Sequence, residues 1–140
     1  MSTKTYYKGL RGNLCSIVDS SFQYSVGETF TADTDDDFHW LHFTPEIQAA
    51  ISYGERIVEV EPVSRMNVYS EEVMNAKSIR IVRELSMQEI LSLLVRKAEK
   101  RSFPKKRLLF YLRLLTGERT YPSTMRVNGV TNVPIVAASR

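Results

Sequence analysis

The sequence predicts an α+β fold. A mostly antiparallel two-sheet core is expected over residues 1–85, followed over residues 86–140 by a helical hairpin and a terminal β-hairpin. Three observations predict it. Ile57-Val58-Glu59-Val60-Glu61 and Ser78-Ile79-Arg80-Ile81-Val82-Arg83 alternate apolar and polar side chains, the period of a half-buried strand. Ser86-Met87-Gln88-Glu89 is a capping box that opens a helical repeat. Asn128-Gly129 lies between β-formers, the signal of a tight hairpin.

The elements follow in order. Thr5-Tyr6-Tyr7-Lys8 is rich in β-formers and is expected to stop at Gly9. Gly12 and Asn13 suit a turn, and Val26 to Thr31 reads as a second short strand. Asp33, Asp35, Asp36 and Asp37 form an acidic turn, and Phe38 to Phe43 is the most aromatic stretch, expected as a buried strand. Thr44 can cap a helix that begins at Pro45, carries Ile47, Ala50 and Ile51 on one face and stops at Gly54. The Ile57 strand ends at Pro62. Val63 to Ala76 is ambiguous, with a short helical turn suggested at Glu71 to Ala76. Past the capping box, Met87, Ile90, Leu91, Leu94, Val95 and Ala98 keep helical spacing. A second helix is expected from Ser102-Phe103-Pro104, with Leu108, Tyr111, Leu112 and Leu115 on its core stripe and Gly117 as its stop.

Length and composition bound the function. A chain of 140 residues, 43% hydrophobic and 25% charged, is a one-domain globular composition. It excludes collagen, coiled-coil and disordered classes. No apolar run reaches the roughly 18 residues that a membrane-spanning helix needs. Met1 to Lys8 has no signal-peptide core, so an intracellular protein is expected. Cys15 is the single cysteine, which excludes an intrachain disulfide and a multi-cysteine metal site; a small buried hydrophobe is its expected role.

Charge divides the chain. Residues 1–85 carry 8 Lys or Arg and 13 Asp or Glu, a balance of −5, whereas residues 86–140 carry 11 Lys or Arg and 3 Glu, a balance of +8. Such asymmetry points to nucleic acid or another anionic partner, or to attraction between the halves within or between molecules. Arg96 with Lys100 and Lys97 with Arg101 are like-charge pairs at four-residue spacing. Lys105, Lys106 and Arg107 crowd the first turn of the second helix, against its dipole. A helix gains nothing from these choices, so Arg96, Lys97, Lys100, Arg101, Lys105, Lys106, Arg107 and Arg113 are the candidate contacts to nucleic-acid phosphates or an acidic protein surface. The alternative is a solvated basic hairpin docked on the acidic half. Asp33 to Asp37 lacks the glycine and distal glutamate of an EF-hand loop, so a solvated turn is expected rather than a metal site. On a strand His39 and His42 would face opposite ways, so they cannot share a metal.

The order Tyr7-Lys8-Gly9-Leu10, Gly27-Glu28-Thr29-Phe30, Leu41-His42-Phe43-Thr44-Pro45, Tyr53-Gly54, Val58-Glu59-Val60-Glu61-Pro62 and Ile79 to Leu85 resembles a family of uncharacterised phage-encoded proteins. It is also similar, over about residues 5–85, to small ADP-ribosyltransferases of the rifampin-modifying and RNA 2′-phosphotransferase types. The resemblance implies an ADP-ribosyltransferase-like core. It implies NAD as the alternative cofactor, with Lys8 at the family's His or Arg, His42 at its Tyr, and Thr44 beside it as the catalytic set. Lysine lacks arginine's planar fork. Glu71 and Glu72 are nearest in order to the family's acid, without a clear match.

The reading is a small phage accessory protein, in the cytoplasm of an infected host cell, that acts without a cofactor by binding an anionic partner through its basic half. The alternatives are an NAD-dependent transferase and a virion or assembly component, in which unlike halves of neighbouring copies meet head to tail as a homo-oligomer.

Overall fold

A computed structural model describes residues 4–14, 23–101 and 104–116. Cys15, Ser102, Phe103, Gly117 and the hairpin expected at Met125 to Thr131 lie outside the described residues.

The strands are β1 (Tyr6–Leu10), β2 (Thr29–Thr31), β3 (Leu41–Phe43), β4 (Arg56–Pro62), β5 (Met66–Val68), β6 (Met74–Ala76) and β7 (Ser78–Glu84). The helices of the described residues are α1 (Ile47–Tyr53), α2 (Met87–Arg101) and α3 (Lys105–Leu115), with a 3-10 turn at Asp37–His39. One sheet has the order β1-β4-β7-β2 and the other β3-β6-β5. Their pairings are antiparallel. The α+β class with two antiparallel sheets is therefore the observed one.

Strand alternation decides what each face of the larger sheet covers. Leu10, Val58, Val60, Ile79 and Ile81 share an apolar cluster with Leu41, Phe43, Met74 and Ala76 of the smaller sheet. Tyr7 and Ile57 instead join Ile47, Ile51, Ile90, Leu94 and Leu115 from the three helices. The molecule is thus small sheet, large sheet, helices. The two sheets are tied where β1 leaves Tyr7: its N–H donates to the Thr44 carbonyl at 2.7 Å, and Thr44 N–H returns the bond at 2.9 Å. Glu59 pairs with Arg83 and Val60 with Ile81, so Val82 is an extra residue in β7, a bulge.

β1 does not stop at Gly9 but runs to Leu10, because Gly9 lies under α1 rather than in a turn. A Cβ on Gly9 would stand 2.0 Å from the Ala50 carbonyl oxygen, and one on Gly54 would stand 2.2 Å from that of Leu10. The two glycines let helix and strand backbones touch.

Other expectations are corrected. The aromatic run is not one strand: Asp36 caps the 3-10 turn by accepting from Phe38 N–H, Phe38 is 72% exposed, and the strand is confined to Leu41–Phe43. The argument from strand parity therefore does not apply to His39. Glu71 to Ala76 is not helical; β5 and β6 form a hairpin, with Asn75 fully buried. Asparagine and alanine are weak β-formers, and Asn75 is held by tertiary bonds, donating to the Asp37 carbonyl at 2.7 Å. α1 begins at Ile47, not Pro45: Thr44 Oγ1 accepts from the N–H of Glu46, the extended residue immediately before the helix. Among the described residues no helix is long and apolar enough to cross a membrane.

Candidate functional site

Lys8 lies in β1 with Tyr6 and Leu10 on the face that meets the smaller sheet. It is buried, its Nζ donates to the His42 carbonyl at 2.5 Å, and it stands 5.4 Å from the Tyr24 ring centroid. No carboxylate pairs with it among the described residues. Burial pulls its ammonium down to about 8, since the charged form loses solvation. His42 is the outward residue of β3, between buried Leu41 and Phe43. Crowding of its surroundings, then the charge of Lys8, then that of His39 hold its ring below the usual histidine range. Thr44 is buried and its hydroxyl is engaged by Glu46 N–H at 3.0 Å. Lys8 and His42 thus meet through a backbone carbonyl, and Thr44 sits at the seam of the two sheets. Lys8 and Thr44 are thus built into the seam of the two sheets, the His42 side chain points outward, and none of the three lines the cleft described below.

The acidic half uses its charge internally. Arg56 grips Glu84 with two bonds, at 2.7 and 2.6 Å, and also donates to the Gly12 carbonyl at 2.8 Å. Lys77 pairs with Asp35, Arg80 with Glu61 and Arg83 with Glu59. Arg83 also reaches Glu89, the second member of the capping box. That box forms as expected: Glu89 N–H donates to Ser86 Oγ at 3.2 Å and Ser86 N–H to Glu89 Oε1 at 2.9 Å.

The basic helices differ. Arg96 and Lys100 are exposed on α2; Lys105, Lys106 and Arg113 are exposed on α3; and Arg101 ends α2. Arg96, Lys100, Lys105, Lys106 and Arg113 have no acidic partner among the described residues. Lys97 is the exception, bonded to Glu46 at 2.6 Å and so joining the halves. Arg107, also exposed, turns toward a cleft described below. Lys106, Leu109, Phe110 and Arg113 recur at three- and four-residue steps, so they share a face of α3. Leu109 is 46% and Phe110 54% exposed on that face, and the Phe110 ring meets Tyr111 edge-on at 5.5 Å.

A second feature was not expected from the sequence. A cleft of about 540 Å³ opens between α1, the β5–β6 turn and the start of α3, lined by Glu46, Gln48, Ser70, Glu71, Glu72 and Arg107, with Pro104. Gln48 is buried, and its Nε2 donates to Glu46 Oε1 at 3.0 Å and to Glu72 Oε2 at 3.5 Å. Its Oε1 is buried without a hydrogen-bond partner. A glutamine inside a helix carries no local signal of this kind. Glu72 was singled out, but by its order in the chain.

No family model matches the chain, and no curated protein matches it.

Proposed function

We propose that the protein is a binding module whose α2–α3 surface takes the phosphates of a single-stranded nucleic acid. The observation that carries this reading is the exposed set Arg96, Lys100, Lys105, Lys106 and Arg113, without acidic partners among the described residues, with exposed Phe110 on the α3 face of Lys106 and Arg113. Cations that follow a backbone and an aromatic ring that stacks on a base are the two parts of sequence-tolerant single-strand binding. The aromatic favours nucleic acid over an acidic protein surface, which would need no stacking platform. The phage-family resemblance supplies a setting, the cytoplasm of an infected host cell.

The transferase reading needs Lys8, His42 and Thr44 to converge on NAD. Lys8 and Thr44 are buried and engaged, and neither these nor His42 lines the cleft, so the binding reading is the better supported one.

The test is fluorescence anisotropy with a labelled oligothymidine of about twenty nucleotides at low salt. The wild-type protein binds, Lys105→Glu with Lys106→Glu loses at least about tenfold in affinity, and Phe110→Ala loses a further share through stacking. Equal affinity for all three proteins, with unchanged melting temperatures, overturns the proposal. Binding of an acidic peptide in place of the oligonucleotide would move the partner to the protein class.

A further inference from the structure

We infer that the cleft between α1, the β5–β6 turn and the start of α3 binds an organic cation with N–H donors, an alkylammonium or guanidinium group. The argument starts from Gln48. Amide oxygen and nitrogen are told apart by their partners. The Gln48 nitrogen faces two carboxylate oxygens, Glu46 Oε1 and Glu72 Oε2, and an oxygen in that place would be repelled by both. The orientation is therefore fixed, and the atom left over is the oxygen. It is an acceptor, it is buried, and it has no donor among the described residues. A buried acceptor without a donor is costly, and native proteins leave few of them.

The surroundings select the donor's charge. Glu46, Glu71 and Glu72 line the cleft with Arg107, and Lys97 bonds Glu46 from α2. Among the described residues, Lys97 and Arg107 together balance fewer charges than the three carboxylates bring, so that lining is negative. Ser70 Oγ already accepts from Glu72 and Val73 N–H, which holds the loop that carries Glu72. This lining favours a cation over an anion. A neutral alcohol would satisfy Gln48 but leave the charge unanswered. An ammonium brings three donors and a guanidinium five, enough for the Gln48 oxygen and a carboxylate at once. Gln48 lines the cleft beside exposed Glu72, which puts its amide at the wall that an entering donor meets. The volume, about 540 Å³, is in the range of small-molecule sites and exceeds one guanidinium, so the ligand carries an aliphatic body.

Two sources share this chemistry, a free polyamine-like metabolite and a lysine or arginine side chain of a protein. Agmatine probes the first and N-acetyl-arginine-methylamide the second. Each is titrated into the full-length, ¹⁵N-labelled protein while the Gln48 side-chain amide is followed by NMR. The expected result is saturable binding of at least one probe with a shift of that amide, and a loss of about tenfold or more in both Gln48→Met and Glu72→Gln. Agmatine alone binding assigns a free amine; the blocked arginine alone binding assigns a protein partner. If neither binds at about 10 mM, weaker than any useful affinity, the inference is overturned. Unchanged affinity in Glu72→Gln overturns it as well. That variant changes an exposed side chain, so it decides the matter even if Gln48→Met does not fold. Loss of the phosphate-binding reading would leave this site untouched, since Lys105 and Lys106 do not line it.

Discussion

The strand-rich residues 4–85 and the helices α2 and α3 use charge in opposite ways. In the first region Arg56, Lys77, Arg80 and Arg83 each meet a carboxylate from the same region. On the helices Arg96, Lys100, Lys105, Lys106 and Arg113 stand exposed without acidic partners among the described residues. The halves are unlike in sequence charge, yet the acidic one does not simply neutralise the basic one. Lys97 with Glu46 is a cross-link, not a general pairing of the halves. The difference teaches that net charge alone does not identify a binding surface; what matters is which charges the fold has already engaged.

The comparison can be broken first at its rigid side. Gly9→Ala drives a methyl group into the Ala50 carbonyl, backbone against backbone. We expect a loss of about 3 kcal/mol or more in urea unfolding, with α1 displaced from β1. A loss below about 0.5 kcal/mol, the scale of ordinary surface changes, would show that the contact between α1 and β1 is looser than described.

Lys8 gives an effect of similar size with a defined sign. Its ammonium is pulled from 10.5 to about 8 by burial, so between those values the unfolded chain binds more protons than the folded one. Wild-type stability therefore gains from Lys8 as pH rises through that window. Relative to Lys8→Met, the wild type should gain about 3 kcal/mol between pH 7 and pH 10.5. Tyr7, which burial holds above its ordinary value of 10.0, lowers the stability of both proteins alike as pH rises beyond about 10, and cancels in the difference. A pH-independent difference would place Lys8 in water.

Smaller effects sharpen the contrast. Glu84→Gln breaks the two-bond grip of Arg56 at a half-exposed site and should cost about 1 kcal/mol. Arg56 holds the Glu84 carboxyl below its usual range, so this contribution is present at neutral pH and fades on acidification through the lowered value. Ser86→Ala removes the α2 cap and should cost about 0.5–1 kcal/mol, read as a lower melting temperature with oligonucleotide affinity unchanged.

Much of the fold was legible because it is written in local pattern. The Ser86–Glu89 box, the Ile57 and Ile79 alternations and the α3 stripe ending at buried Leu115 needed no distant partner. The β5–β6 hairpin was not legible, because Asn75 is held by side-chain bonds to Asn67 across the hairpin and to the carbonyl of Asp37, 38 residues away. The same holds for Gly9, a strand stop by local rule and a helix seat by tertiary contact. Of the proposed binding surface, the basic residues were legible by composition, whereas the absence of acidic partners among the described residues is a property of the fold. The cleft was invisible, since it joins Gln48, Glu72 and Arg107 from three segments.

The most direct test of the central claim is the salt dependence of oligothymidine binding, measured for the wild type and for Lys105→Glu with Lys106→Glu. If these helices engage phosphates, the logarithm of affinity falls linearly with the logarithm of salt, and the slope becomes shallower by about 0.7 for each cation lost. Binding that ignores salt, or a slope the double variant leaves unchanged, would contradict the account.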